Sequence, residues 1–135
     1  MTNIIPPSSA SQIGALFQIL SVAPRLEILL AIGEAEACVC HLEAALGYRQ
    51  AYISQHLMAL REAGLLETRR DGRFIYYRLA DRRILEVLVQ AGEILGQPVA
   101  ILPIALFSCE CPNCATAAAK STPPASESRA QENDG

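Results

Sequence analysis

The sequence contains no run of 18 apolar residues, the least that a bilayer-crossing helix needs, although apolar residues make up 51% of its 135 positions. Its most apolar stretch, residues 99–107, is short and is broken by Pro103. The opening residues, MTNIIPPSSASQ, hold no basic residue and no apolar core of signal length, so secretion is not expected. No nucleophile–base pair and no cofactor-binding loop is visible, so an enzyme is not expected either. Internal repeats are absent. Cysteine is missing until Cys38, and then five appear: Cys38, Cys40, Cys109, Cys111 and Cys114. An odd number at tight spacing is a poor disulfide framework. Metal binding or redox chemistry in a reducing, cytoplasmic setting is the expectation instead.

Charge is unevenly spread behind a net value of −3. Residues 47–83 carry eight arginines (49, 61, 69, 70, 73, 78, 82, 83) against four acids, a block of +4, while the remainder is −7. A basic block in an acidic chain suits a protein that meets a polyanion with one face. The plainer reading of the same residues is a solvated helix and hairpin.

A polar, proline-containing arm is expected over residues 1–11. Ile13, Leu16, Phe17 and Leu20 then recur at helical spacing. Pro24 suits the first turn of a second helix over 24–32. Residues 37–46 read as a short third helix closed by Gly47. Residues 49–63 read as a fourth, with Ile53, Leu57 and Leu60 on its inner face and Gly64 as its stop. The period then changes to two. Residues 65–69 and 74–79 flank Arg70-Asp71-Gly72-Arg73, and Asp-Gly between β-prone runs is a hairpin signal. Asp81 can cap a long fifth helix reaching about Leu95, interrupted by Gly96-Gln97-Pro98. The expected fold is mainly α with a β-hairpin wing (α+β), a winged helix-turn-helix. It occupies residues 12–107, with a cysteine cluster at 108–115 and a disordered tail at 116–135.

Three motifs resemble the ArsR/SmtB family of metal(loid)-responsive winged helix-turn-helix repressors, over roughly residues 15–90. CVCHL at 38–42 is close to the family's Cys-Val-Cys-Asp-Leu metal box. ISQHLMALREAGLL resembles its recognition helix and the following turn, and RRDGRFIYYRL its wing. The resemblance implies a homodimeric, cytoplasmic repressor of double-stranded operator DNA, with no membrane partner. It places Gln50, Ala51, Tyr52, Ser54 and Gln55 at the exposed reading positions of the recognition helix. Arg49 stands where the family usually has a small capping residue, adding a cation near phosphate. Arg69, Arg70 and Arg73 are expected at the hairpin tip, against the DNA backbone or minor groove. Edge-strand protection is the alternative role for these arginines. His56 falls where the family often has histidine and is expected to be buried and hydrogen-bonded rather than a ligand.

Thiolates select soft ions: arsenic(III), antimony(III), cadmium, lead, mercury, copper(I) and zinc. Cys38 and Cys40 would lie about 200° apart on a regular helix. At a ragged first turn they can share an ion, and a helix N-terminus favours the thiolate. Two buried, inert small side chains are the alternative. In some arsenic-sensing relatives a third cysteine follows, where this chain has Glu43, and the box aspartate is His41 here. Some relatives complete the box with cysteines from the partner's N-terminal arm. In this chain Cys109, Cys111 and Cys114, spaced C-x-C-x-x-C, can complete it or form a separate trithiolate site. The family's second site type uses Asp and His on the last long helix; residues 81–95 contain no His, so that site is expected to be absent. The resemblance thus implies release from DNA by arsenite or antimonite first, then cadmium, lead or zinc. A redox or persulfide sensor using the same cysteines, and a thiol-rich metal-binding protein without a regulatory role, are the alternatives.

Overall fold

Ser8, in an extended conformation, accepts a hydrogen bond from the Ser11 amide at 3.1 Å and starts α1, Ser9–Leu20. The computed structural model describes residues 8–101, so most of the expected arm, the segment 102–107, the cysteine cluster and the tail lie outside the described residues. The first helix begins within the span expected to be arm, because the Ser8 hydroxyl supplies the cap. The second, α2 (Ala23–Ile32), carries Pro24 in its first turn and buries Ile28, Leu29 and Ile32.

Residues 37–46 do not form one helix, contrary to the expectation from sequence. Ala37–Cys38 is a two-residue strand, β1, and α3 runs Val39–Leu46. The reason lies across the molecule. β1 pairs antiparallel with one edge of a later strand, Ala37 opposite Tyr77 and Cys38 opposite Tyr76, which occupies backbone groups that an open edge would leave to solvent. Gly47 then turns left-handed (φ 80°) and lets the chain leave α3 for α4, Gln50–Glu62. Ile53, Leu57 and Leu60 of α4 are wholly buried against α2 and α3. A Leu57→Ala change in such a site typically costs about 2–5 kcal/mol.

The hairpin follows at once. β2 (Leu66–Asp71) and β3 (Phe74–Leu79) pair from Leu66↔Leu79 to Asp71↔Phe74, so the strand order is β1-β3-β2. Only two residues, Gly72 and Arg73, remain for the turn. Gly72 has φ 65° and no non-glycine residue has positive φ among those described, which is the type II′ pattern. The loop expected at 70–73 therefore shortens. A turn centred on Asp71-Gly72 would need positive φ at both residues, whereas Gly72-Arg73 needs it at glycine alone.

The last helix, α5, spans Arg83–Ile94. Asp81 does not sit at the N-cap position, which is Arg82, but its Oδ1 accepts from the Arg83 amide at 2.9 Å. The Arg83 guanidinium beside it at 2.7 Å holds the Asp81 carboxyl down to about 2. Beyond α5 the chain doubles back, so that a Cβ on Gly92 would lie 2.7 Å from the Gln97 carbonyl oxygen. One side of α5 is buried through Ile84, Leu85 and Leu88. The other joins α1 in an apolar groove of about 640 Å³ lined by Phe17, Leu26, Val87 and Ile94. No single helix among the described residues is long and apolar enough to cross a membrane.

Candidate nucleic-acid interface and thiol pair

The first turn of α4 faces outward. Arg49 precedes it in an extended conformation without a side-chain cap, as a long cationic side chain dictates. Arg49, Gln50, Ala51, Tyr52 and Gln55 are exposed and Ser54 is half-buried, while Ile53 and Leu57 point into the core. The Tyr52 ring is packed on one side, although the residue stays exposed. Its ring lies 5.1 Å from Tyr48 and meets His56 edge-on at 4.7 Å. Tyr48 donates from its hydroxyl to Glu27 at 2.6 Å, and Arg25 donates from Nε to His56 Nδ1 at 3.3 Å and from Nη1 to the Ile19 carbonyl at 3.0 Å. The row ties the recognition helix to α2. Burial, and then the Arg25 charge, push His56 below the usual histidine value. His56 is thus half-buried and hydrogen-bonded.

The three wing arginines do not share one environment. Arg73 is in the turn, and Arg70, opposite Ile75, is one pair inward; both are exposed. Arg69 is turned to the other face. Its Nη2 meets Glu36 Oε1 at 2.7 Å and its Nε meets Oε2 at 3.0 Å, with the guanidinium 4.6 Å from the centroid of the Tyr76 ring. Arg69 thus stands apart from Arg70 and Arg73, its charge paired with a carboxylate two positions before Cys38. Of the two adjacent tyrosines, Tyr76 is the core residue at 1% exposure, and Tyr77 is half-buried.

Cys38 ends β1 and is also the N-cap of α3, with φ −91° and ψ 170°. Extended backbone at Cys38 followed by the helical turn at Cys40 removes the opposition that a regular helix would impose. The two sulfurs meet at 2.8 Å. Tetrahedral thiolates on one zinc-sized ion stand about 3.8 Å apart, so the sulfurs lie about 1 Å closer than two ligands of one ion and part to hold it. Cys38 is buried and Cys40 half-buried, packed with Tyr76 and Phe74. The pair opens into a cleft that also contains Gln50 and Ser54 of α4 and Arg73 and Tyr77 of the wing. Thiols and candidate DNA-reading groups therefore share one surface. His41, where the family box has aspartate, is buried, and that burial pushes its pKa down. Among the described residues no group of three or more His, Cys, Asp or Glu converges on a point, and Cys109, Cys111 and Cys114 lie outside them. Sequence reasoning missed Glu36 and the strand it leads into; no local signal marks either.

The family model described as bacterial regulatory protein, arsR family, matches residues 24–68, which run from α2 into the wing. The arsenical resistance operon repressor of Escherichia coli is 48% identical over 66 residues, 48% of this chain and 56% of that protein, so the chain spans little more than half of that relative's length. The transcriptional repressor SmtB homolog of Synechocystis is 34% identical over 95 residues, 70% of this chain and 72% of that one. Among solved structures, the homodimeric winged helix-turn-helix DNA-binding domain of a possible ArsR-family regulator from Mycobacterium bovis superposes with a TM-score of 0.57 at 26% identity. That match covers 68% of this chain and 90% of the other. The five helices and the wing are thus a winged helix-turn-helix, the family is one of regulators rather than enzymes, and the chain belongs to the arsR family of bacterial regulatory proteins.

Proposed function

We propose that this protein is a transcriptional repressor that leaves its operator when a thiophilic metal or metalloid binds Cys38 and Cys40. Arsenite and antimonite are the favoured inducers, ahead of cadmium, lead and zinc. The observation that carries the reading is the 2.8 Å approach of the two sulfurs inside a cleft shared with Gln50, Ser54 and Arg73. An ion held there alters the groups that face DNA without a long relay. The name of the Escherichia coli relative, an arsenical resistance repressor, supports the choice of ion.

Two thiolates are few for selective capture, and the tail residues Cys109, Cys111 and Cys114 are assigned to complete the site. Gln50, Ala51, Tyr52, Ser54 and Gln55 line the reading face, with Arg49, Arg70 and Arg73 on phosphate. The protein acts as a homodimer in the cytoplasm. Support for the dimer comes from the apolar groove between α1 and α5 and from the homodimeric Mycobacterium relative. The same sulfur proximity also suits oxidative pairing. The test is an operator-binding titration under reducing conditions with arsenite, antimonite, cadmium, lead and zinc. Stoichiometric release by one of these ions is expected. Release by oxidant or persulfide alone would move the function to redox sensing.

A further inference from the structure

β1 is held by two residue pairs only, yet it carries Cys38. A strand that short has little ladder of its own to resist displacement. What crosses it is a side-chain strap. Glu36 stands immediately before β1, and Arg69 lies on β2, the outer strand on the far side of β3. To reach Glu36, Arg69 passes over β3, and its guanidinium rests on the Tyr76 ring on the way. The contact is two-pronged, with Nη2 at 2.7 Å and Nε at 3.0 and 3.2 Å from the carboxylate oxygens. Arg69 is 46% exposed but Glu36 only 22%, so the bidentate contact joins a solvated cation to a partly shielded carboxylate. Tyr76, under the strap, is the Cα partner of Cys38 and belongs to the same buried cluster, with Cys40 and Phe74 packed against it.

We propose that Glu36, Arg69 and Tyr76 are positioning residues that carry a change at the cysteine pair across the sheet to the wing. This rests on the reading of Cys38 and Cys40 as the sensing thiols. Two thiolates on one ion stand about 3.8 Å apart, so taking up an ion parts the sulfurs from 2.8 Å, and a main-chain shift of Cys38 is not free. Its backbone is paired with Tyr76, and Glu36, two residues before it, is fastened to β2 three positions from the turn. Motion at Cys38 therefore reaches Arg70, Gly72 and Arg73 by a route separate from the α3–α4 turn. Arg69 is on this account a strap and not a phosphate contact.

The decisive variant is Glu36→Ala, which cuts the strap and touches neither the thiols nor the reading face. Three quantities are read on the full-length protein with the inducing ion: thiolate–ion absorption, operator affinity with and without the ion, and amide exchange of residues 69–76. In the wild type the ion is expected to weaken operator binding by about 5–150-fold. In Glu36→Ala, ion absorption and ion-free affinity should stay at wild-type levels. The ion-induced weakening should shrink to less than about a third of the wild-type factor, and the ion should no longer change wing exchange. The exchanged pair Glu36→Arg/Arg69→Glu should restore both. Wild-type release and wing response in Glu36→Ala would overturn the strap while leaving thiol sensing intact. Tighter ion-free binding in that variant would also overturn it, by showing Arg69 to be a DNA cation that Glu36 restrains. If the ion binds the wild type without weakening operator affinity, the sensing reading falls and the strap falls with it.

Discussion

Cys38 works as a potential ligand because it is the last residue of one element and the cap of the next. The sequence spacing alone would set Cys38 and Cys40 on opposite sides of a helix. The extended φ and ψ of Cys38 bring the sulfurs to 2.8 Å. Serine keeps the size of cysteine but not its affinity for soft ions. Cys38→Ser and Cys40→Ser are therefore expected to bind operator as the wild type does and to lose release by the inducing ion, measured by fluorescence anisotropy. Normal release in the Cys38→Ser/Cys40→Ser double variant would defeat the site. His56 offers a pH test at the same scale. Burial, and then the Arg25 charge beside Nδ1, push its pKa below that of the unfolded chain, near 6.5, so folding disfavours the protonated ring. The unfolded state binds more protons in that window, so the contribution of His56 to stability is complete above 6.5 and is lost as pH falls through its depressed folded value. Melting temperatures should drop between pH 7.5 and 5.5 more steeply in the wild type than in His56→Gln. Equal slopes would show that this histidine does not titrate on unfolding. The cysteine pair and the half-buried histidine are legible in the chain as residues. The partner of Arg69 is not, because Glu36 is 33 positions away and only sheet register brings them together.

Helices and the hairpin follow from apolar period, turn glycines and the change of period after Gly64, and they form where those signals lie. β1 escapes such reading. Two residues have no period, and the strand exists only because β3 offers an edge 38 positions later. The turn escapes by one residue, since glycine at the first central position selects type II′ over a turn centred on Asp71. Gly72→Ala should therefore strain the wing, costing about 1–3 kcal/mol for a side chain at a positive φ that glycine alone adopts easily. Denaturant titration should show that loss, together with weaker operator binding. An unchanged midpoint would place the strain elsewhere. Arg70 and Arg73 flank the same turn and stay exposed. As phosphate contacts, each should reduce the slope of log affinity against log salt by about 0.9 when replaced by alanine, with all DNA sequences weakened alike. Gln50→Ala should instead flatten preference among operator variants. Wing variants that changed preference but not salt slope would reverse these roles.

At the scale of the whole molecule, the described residues leave large apolar side chains exposed. Phe17 is 52% exposed and Ile94 83%, and both border a groove between the first and last helices, on elements other than the reading helix and the wing. A second copy applied by a two-fold axis would bury both sets at once, because such an interface presents the same patch from each side. It would also set two recognition helices against successive major grooves, about 34–36 Å apart, so operator affinity and dimerisation become one equilibrium. Ile94→Glu places a charge in the middle of that patch and leaves the core residues Ile84, Leu85 and Leu88 of α5 untouched. The variant should keep its circular dichroism spectrum and sediment as a monomer at micromolar concentration. It should also lose at least about tenfold in operator affinity, or 1.4 kcal/mol, because each half-site must then be bound independently. A single half-site should be bound equally by the variant and the wild type. If Ile94→Glu still sediments as a dimer, the groove between α1 and α5 is not the seam, and another surface must join the two copies.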